Sequence, residues 1–518
     1  MSQERRRVAG RYGAGALIGL LSAGVALGVG EAVAALVRPP AAPVIAVGNR
    51  FVLLTPESVK RWAIRNFGTN DKHVLLTGIY VAVAVFAVVV GLLAVRRVAF
   101  GVVGVALFGA IGCWAALTAR ASRPSDVVPT LVGTGAALAV LLFLTRASGS
   151  PRSATSGGGV AAADRRLFLQ GSAAAAGLAA LSGFGGRAAQ HARFDVTAAR
   201  AAVRLPQSVD PAPSVPSGVD LGKSGVPWQT PNSKFYRIDT SLSVPQIDPK
   251  NWSLRIHGMV DKELLLTYDQ LTARPLIERW ITLCCVSNYV GGGLVSNARF
   301  LGARLADVLR EAGVHAASDQ LVMRSPDGMT IGAPTAVVMD GRDAMIAVGM
   351  NGEPLPVEHG FPARIVVPGL YGYVSACKWV VDIEATTYAA QQAYWVQGGW
   401  AAKTDIKLQS RIDTPRGGST VAVGRPVALA GVAWDQHVGV SAVEVQVNEG
   451  AWLPARLASV PSTDTWRQWV VAWTPPAAGS YRLRVRATDA AGNVQTNQTR
   501  DVYPDGATGL HTVTVRAR

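Results

Sequence analysis

Four long apolar runs lie within the first 146 residues, and they constrain the fold of this 518-residue chain more than any other feature. They cover residues 13–37, 73–95, 98–117 and 127–144. An α-helix needs about 20 apolar residues to cross the hydrocarbon core of a bilayer. Backbone polar groups there must be satisfied within the segment, which favours helices. The sequence therefore predicts an α-helical membrane bundle over residues 1–146.

The charged residues agree with this prediction. They make up only 16% of the chain, against roughly 25% in ordinary globular proteins. The net charge of +16 could suit nucleic acid, but many Lys and Arg flank the apolar runs and form no long basic stripe. We therefore predict no nucleic-acid partner. The basic N-terminus and the pair Arg96 and Arg97 are predicted to be cytoplasmic, although the basic 38–72 loop weakens this assignment.

Residues 147–196 form a separate segment. A Ser/Gly/Ala-rich linker precedes Arg165, Arg166, Phe168 and Leu169, after which small residues dominate. This pattern resembles a twin-arginine export signal, and the alternative is a fifth span with basic flanks. Whether such a signal is cleaved stays open. Both interpretations place the following domain outside the cytoplasm, so we expect a multi-pass protein of the cell membrane.

Residues 197–408 mix short strands and helices, which predicts an α+β domain. Residues 279–286 are expected to form a strand that leads into a glycine-rich loop. Residues 304–312 are expected to form a helix that ends at Gly313. Residues 205–230 within this domain are rich in Pro, Ser and Gly, which indicates a linker or an extended wrap.

Residues 409–518 show short strand patterns separated by turns, with no helical period. Such spacing predicts an all-β, immunoglobulin-like sandwich of about 100 residues. Residues 421–434 are expected to form one continuous strand.

Two adjacent cysteines, Cys284 and Cys285, stand where the predicted strand meets the glycine-rich loop. Neighbouring strand residues point to opposite faces, so the two sulfurs are poorly placed for a disulfide. One is expected in the core and the other at the loop, and position favours Cys285 as the reactive or metal-binding thiol. No paired C-x-x-C clusters occur, so a zinc or iron–sulfur framework is not expected.

A second candidate cluster contains His359, Arg364 and Lys378 in loops rich in Gly and Pro. Arg and Lys in such loops suit phosphate or another anion. The sequence lacks the glycine motifs of dinucleotide and P-loop nucleotide sites. The alternative interpretation is a surface loop that happens to carry charged residues.

Several of these segments together resemble the sulfite oxidase family of molybdopterin enzymes. The resemblance is carried by Thr282-Leu-Cys-Cys285-Val-Ser-Asn288, by His359-Gly-Phe-Pro-Ala-Arg364 and by Lys378-Trp379. The C-terminal part is similar to that family's immunoglobulin-like dimerisation domain, through Gly431-Val-Ala-Trp434 and Arg486-Ala-Thr-Asp489. The motifs occur in the expected order from about residue 230 to the end of the chain.

This resemblance implies a molybdopterin-binding oxidoreductase domain over residues 197–408 and a dimerisation domain over 409–518. It implies that Cys285 ligates molybdenum and that Arg237 helps to bind an anionic substrate at the metal. It further implies cofactor contacts from five residues: Tyr236, Asn288, His359, Arg364 and Lys378. The implied activity is oxygen-atom transfer on a small substrate.

Two features depart from the family pattern. Trp400 stands where the family places a substrate-pocket tyrosine, and no arginine follows Ala433 and Trp434, where a second pocket arginine is expected. Loss of an anion-binding arginine weakens the case for sulfite itself. A sulfoxide-type reductase of the same fold is therefore an alternative.

The electron partner is open at this level. The first four spans contain a single histidine, His73, and the chain has no C-x-x-C-H motif, so no haem is predicted. A cytochrome or a quinone is the expected electron partner, and a homodimer is expected from the dimerisation domain. A rival from another class is a non-enzymatic extracytoplasmic binding module on a membrane anchor, which would hold no metal.

Overall fold

The structure is a computed structural model that describes residues 3–67, 70–148, 158–215 and 227–518. Parts of both predicted linkers, residues 149–157 and 216–226, lie outside the described residues. The chain divides into two compact units. The helical unit comprises Met1–Asp195 with Asp239–Val244, and the β-rich unit comprises Val196–Ile238 with Pro245–Arg518.

Long apolar helices make up most of the helical unit. The helices are α1 (Gln3–Ala34), α2 (Pro43–Leu54), α3 (Glu57–Phe67), α4 (Asp71–Ala94), α5 (Val98–Leu117), α6 (Val128–Ala147) and α7 (Gly158–Phe194). Among the described residues, five helices are long and apolar enough to cross a membrane: α1, α4, α5, α6 and α7. The predicted helical bundle is confirmed, and α7 is a candidate fifth span. The export signal within α7 stays a prediction.

Small residues let the helices of this unit approach one another closely. A methyl group at Gly19 of α1 would lie 1.9 Å from the carbonyl oxygen of Ala87 in α4. The side chain of Glu31 is buried, and Gln190 of α7 donates a hydrogen bond to its Oε2 at 2.9 Å. Helix α7 therefore packs against α1 through a polar contact.

A short segment from later in the chain also belongs to the helical unit. Residues Asp239–Val244 cluster with the helices although the residues on both sides belong to the β-rich unit. Lys72 at the start of α4 forms an ion pair with Asp239 and donates a hydrogen bond to the Ser241 carbonyl oxygen at 2.7 Å. The buried Ser241 and this cation hold the segment in place.

The first part of the β-rich unit contains two five-stranded sheets. Its helices are α8 (Thr197–Ala202), α9 (Tyr268–Thr272), α10 (Leu305–Ala312), α11 (Thr335–Met339) and α12 (Tyr394–Gln397). Its strands are β1 (Ser253–Gly258), β2 (Leu264–Thr267), β3 (Leu276–Cys284), β4 (Val295–Arg304), β5 (Gln320–Arg324), β6 (Thr330–Pro334), β7 (Met345–Met350), β8 (Glu353–Pro354), β9 (Arg364–Val366) and β10 (Asp382–Thr386). The sheets run β2-β1-β10-β5-β6 and β3-β4-β7-β8, with β9 paired to β7. The α+β prediction is confirmed, and α10 ends at Gly313 in the left-handed conformation.

The second part is a sandwich of a four-stranded and a five-stranded sheet. Its strands are β11 (Gln409–Thr414), β12 (Thr420–Val421), β13 (Val427–Trp434), β14 (Val440–Val447), β15 (Trp452–Pro454), β16 (Arg456–Leu457), β17 (Arg467–Trp473), β18 (Gly479–Asp489) and β19 (Thr512–Ala517). The sheets run β11-β13-β17-β16 and β12-β19-β18-β14-β15.

One strand prediction is wrong. Residues 421–434 do not form one strand, because β12 and β13 lie in different sheets. Gly424, at φ +71°, turns the chain between them. The turn residues Gly424, Arg425 and Pro426 break the apolar run and were a usable signal for two strands.

One hydrophobic core extends through both parts of the β-rich unit. It includes Trp252 and Leu305 from the α+β part and Trp434 and Trp466 from the sandwich. The sandwich is therefore packed against the sheet that contains the cysteine strand.

Candidate functional site

The cysteine pair lies at the end of β3, which pairs antiparallel with β4 and ends at Cys284. Cys284 is 1% exposed and belongs to the core. Cys285 is 9% exposed and begins a loop, which its backbone N–H closes by donating to the Leu294 carbonyl oxygen at 2.9 Å. We call residues 285–294 the glycine loop. The positions of the two sulfurs match the expectation from strand alternation, and the role of Cys285 stays a prediction.

The surroundings of Cys285 combine burial with nearby donors. Burial raises the pKa of its thiol, while hydrogen bonds from Ser287 and the positive charge of Lys378 oppose that rise. Tyr236 lies close to both cysteines. Burial, together with the charges of the two cysteines, raises the pKa of its phenol. Sequence reasoning missed Ser287, although its place two residues after the cysteine was a usable signal.

Arg364, on β9, is a buried cation whose charge acts on the neighbouring Tyr236. Its Nη1 donates a hydrogen bond to the His359 carbonyl oxygen at 3.2 Å, and its guanidinium lies 5.9 Å from the centre of the Phe300 ring. Its Nε is buried without a hydrogen-bond partner. Arg364 has no carboxylate partner among the described residues. Burial lowers the pKa of Arg364 to about 10, which still leaves it charged at neutral pH.

His359 is held neutral by the same environment. Burial comes first, and the positive charges of Arg364, Lys378 and Arg237 add to it, so that the pKa of His359 falls to about 3. Lys378 reaches back to the Glu358 carbonyl oxygen at 3.3 Å. The structure therefore brings the four predicted basic residues together around one buried position.

Tight backbone geometry supports this cluster. Gly360 has φ +113°, and a methyl group there would lie 3.0 Å from Cβ of Arg364 and 3.2 Å from Cα of Lys378. The Phe235 ring lies 5.4 Å from the rings of both Tyr236 and His359. Phe235 was not predicted as a site residue, and its position next to Tyr236 was the only signal for it.

Asn288 links the glycine loop to the candidate cofactor site. Its Oδ1 accepts a hydrogen bond from the Leu294 N–H at 2.8 Å, and its Nδ2 is buried without a partner. A methyl group at Gly292 would lie 2.7 Å from that Oδ1. The loop therefore presents an unused amide donor close to Cys285.

The two departures from the family pattern have structural counterparts. Trp400 is buried among aromatic rings, with its ring centre 5.8 Å from Tyr373 and 5.4 Å from Tyr503. Asp435 follows Trp434, and burial, then the charge of Asp489, raises the pKa of its carboxyl to about 7.

The residues present fit a phosphate-bearing pterin with a soft metal. Arg364 Nε and Asn288 Nδ2 are buried donors without partners, which a ligand with acceptor oxygens and ring nitrogens would satisfy. A thiol suits a soft metal as a single protein ligand. Within the described part of the chain, no group of three His, Cys, Asp or Glu side chains could hold a metal ion by itself.

Comparisons with known proteins agree with this geometry. Residues 241–395 match the family described as "Oxidoreductase molybdopterin binding domain", and residues 409–485 match "Bacterial Ig domain". Mitochondrial sulfite oxidase of Homo sapiens is 30% identical over 325 residues, which cover 53% of this chain and 58% of that protein. The uncharacterized oxidoreductase YuiH of Bacillus subtilis is 31% identical over 158 residues, which cover 30% of this chain and 76% of that protein.

A solved structure, the sulfane dehydrogenase SoxCD from Paracoccus pantotrophus, is also similar. It is 24% identical with a TM-score of 0.47, over 55% of this chain and 80% of that chain. The present chain spans about 58% of the length of the mitochondrial sulfite oxidases of Homo sapiens and Drosophila melanogaster that it matches.

Proposed function

We propose that this chain, which belongs to the sulfite oxidase family of molybdopterin-dependent oxidoreductases, transfers an oxygen atom to or from a small substrate with two electrons per turnover. One observation carries the proposal: Arg364 is a buried cation with an unused donor and no carboxylate partner among the described residues. Burying such a charge costs several kcal/mol unless a counter-ion is present. The phosphate of a molybdopterin supplies that counter-ion.

We assign roles to the cofactor-binding residues on this basis. Cys285 provides the thiolate ligand of molybdenum, and its deprotonation accompanies metal binding. Arg364 and Lys378 neutralise the phosphate, while neutral His359 offers a ring nitrogen to the pterin without adding charge. Bound there, the molybdenum–pterin group supplies the two-electron oxygen-atom transfer chemistry.

Three further residues complete the assignment. Asn288 donates its unused amide N–H to the cofactor, and Tyr236 lies beside the cysteines with its phenol protonated. Arg237 is half-buried next to Tyr236 and contributes positive potential at His359. Arg237 therefore attracts and orients an anionic or strongly polar substrate oxygen.

The choice of substrate depends on the second half of the pocket. No arginine follows Ala433 and Trp434, where the family places one, and Trp400 stands in place of a tyrosine. A single arginine binds a dianion less tightly than two, so a neutral substrate such as a sulfoxide is the second candidate. An oxidase that acts on sulfite remains the first, because the other site residues match.

The membrane arrangement is part of the proposal. We infer that the β-rich unit lies outside the cytoplasm of a cell-membrane protein, and the five candidate spans with a cytoplasmic N-terminus support this sidedness. The twin-arginine-like Arg165 and Arg166 support export of a folded, cofactor-loaded domain. We further propose a cytochrome or quinone as electron partner, a homodimer through the sandwich, and no haem within the chain.

Metal analysis of the purified full-length chain tests the enzyme against the binding-module rival. We expect about one molybdenum and one pterin per chain from a host that makes the cofactor. Cys285→Ser is expected to abolish oxygen-atom transfer with artificial electron donors and acceptors, while Cys284→Ser, at the adjacent buried thiol, retains turnover. A metal-free wild-type protein from such a host would contradict the proposal and favour the binding module.

Screening sulfite and sulfoxides separates the two substrate classes. The wild-type protein is expected to turn over one class at least tenfold faster, as kcat/KM, than the other. Arg237→Met is expected to raise KM for an anionic substrate by roughly tenfold or more, which corresponds to about 1.4 kcal/mol. An equal KM for both proteins would remove Arg237 from the substrate site.

A further inference from the structure

Two residues of the sandwich, Arg411 and His511, contact the glycine loop and have no role assigned above. Arg411 of β11 donates a hydrogen bond from Nη1 to the Gly292 carbonyl oxygen at 2.9 Å. The ring of His511 lies against Gly291, so closely that a methyl group on Gly291 would be 2.1 Å from its Cδ2. No side chain fits at that loop position, and the loop backbone rests directly on the sandwich.

Both contacting side chains are themselves fixed. Arg411 Nε donates to Oδ1 of Asp413 at 2.6 Å, so the guanidinium has one orientation set by its own strand. His511 Nδ1 accepts a hydrogen bond from the Ile412 N–H at 2.9 Å, which sets the plane of the ring. The support beneath the glycine loop is therefore preorganised.

The strand that precedes the cysteines is also hydrogen-bonded to the sandwich. The Thr282 N–H donates to the Asp464 carbonyl oxygen at 2.9 Å, and its Oγ1 accepts a hydrogen bond from the Trp466 N–H at 2.7 Å. Gln436 donates from Nε2 to the Thr282 carbonyl oxygen at 3.2 Å. Cys285 thus lies in a short stretch of chain whose two ends are both anchored to the sandwich.

We propose that Arg411 and His511 are positioning residues that set the direction in which the Cys285 sulfur points. The inference rests on the proposed function, in which that sulfur is the metal ligand. The glycine loop closes on itself through the Cys285 N–H and the Leu294 carbonyl oxygen, so a shift of its far end moves its first residue. Metal chemistry is sensitive to ligand orientation, which outer contacts such as these control.

Loaded full-length variants test the proposal. Arg411→Met and His511→Leu are expected to lower kcat about tenfold with KM changed less than twofold, and to shift the electron paramagnetic resonance g-values of the molybdenum(V) state. His511→Asn keeps an acceptor for the Ile412 N–H and is expected to recover most of both. Arg486→Met, which breaks a sandwich ion pair with Glu444, is the matched control and is expected to behave like wild type.

A second measurement needs no cofactor. In cofactor-free protein, the rate of alkylation by iodoacetamide, followed by mass spectrometry, is expected to rise at least fivefold at Cys285 in Arg411→Met and His511→Leu. Cys284 in the core serves as the internal reference. Wild-type alkylation rates and wild-type g-values in both variants would overturn the positioning role. Molybdenum retained in Cys285→Ser would instead overturn the assigned ligand, with the alkylation result unaffected.

Discussion

The two parts of the β-rich unit treat buried charge in opposite ways. In the molybdopterin-binding part, Arg364 is 4% exposed, remains charged and has no carboxylate partner among the described residues. In the sandwich, the buried Asp435 lies beside Asp489 and avoids a second negative charge by holding its proton to about pH 7. A carboxyl can neutralise itself, whereas a guanidinium cannot, so an unpaired buried arginine indicates a ligand.

The sandwich also pairs its surface cations. Arg486 Nε donates to Glu444 at 2.8 Å, and its guanidinium lies 4.1 Å from the centre of the Trp452 ring. Each charged side chain of that pair is about a third exposed. We therefore interpret the unpaired Arg364 as a charge that binds a ligand. The paired Arg486 and Glu444 contribute to solubility and local order.

The largest expected effect comes from Arg364→Met. Removing one partner of a buried charge pair costs about 2–5 kcal/mol, so the affinity for the cofactor is expected to fall roughly 30-fold or more. In cofactor-free protein the same substitution should have the opposite effect. The free energy of unfolding should stay unchanged or rise by up to about 4 kcal/mol, because an unpaired buried charge has been removed. Pterin content and urea midpoints measure the two effects. A cofactor-free variant that unfolds more easily than wild type would break the comparison.

The buried carboxyl of Asp435 should make the stability of the sandwich depend on pH. Its folded-state pKa of about 7 lies above the unfolded value of about 3.9, so the folded state holds more protons between these pH values. The contribution of Asp435 to the free energy of unfolding therefore falls by a few kcal/mol in total as the pH rises from about 4 to about 7. Urea midpoints of wild type and Asp435→Asn across this range measure it. Parallel midpoints for the two proteins would show that the proton is not held.

Gly360→Ala is expected to have an intermediate effect. A non-glycine residue at such a φ costs about 1–3 kcal/mol, and here the methyl group also contacts the Arg364 side chain. Gly418→Ala is the matched control, since Gly418 has φ +80° with nothing within 4 Å of the added methyl group. Both should lower the urea midpoint, and only Gly360→Ala should lower pterin content. Equal loading of the two variants would place the cofactor away from Gly360.

Arg486→Met should have the smallest effect. Exposed ion pairs contribute about 0–1 kcal/mol, and the ring contact with Trp452 adds a similar amount at most. We expect unchanged molybdenum content and a shift in the urea midpoint within that range. A loss of cofactor from this variant would mean that surface charges of the sandwich reach the site.

Sequence patterns predicted the parts of the fold that depend on local periodicity. The four apolar runs had the length of a membrane span, and the helix ending at Gly313 had a recognisable C-cap. The single strand over residues 421–434 was wrong because Gly424, Arg425 and Pro426 interrupt the apolar pattern and mark a turn. Local pattern cannot show which sheet a strand joins.

The candidate site was predictable only in part. Strand alternation and its position at the loop distinguished Cys285 from Cys284, but the grouping of Arg237 with His359 came from family resemblance. The contacts of Arg411 and His511 with the glycine loop were not predictable. They join residues more than 100 positions apart in the chain, and only the packing of the sandwich on the cysteine strand brings them together.

The segment Asp239–Val244 changes what processing of this protein would produce. A peptidase that removed an export signal within α7 would cut the chain between the helices that precede the cut and residue 196, although Asp239–Val244 also belong to the helical unit. The segment would stay bound to the helices through Lys72, its ion pair with Asp239 and its bond to Ser241. A hexapeptide of the downstream fragment would then belong to the same compact unit as the upstream helices.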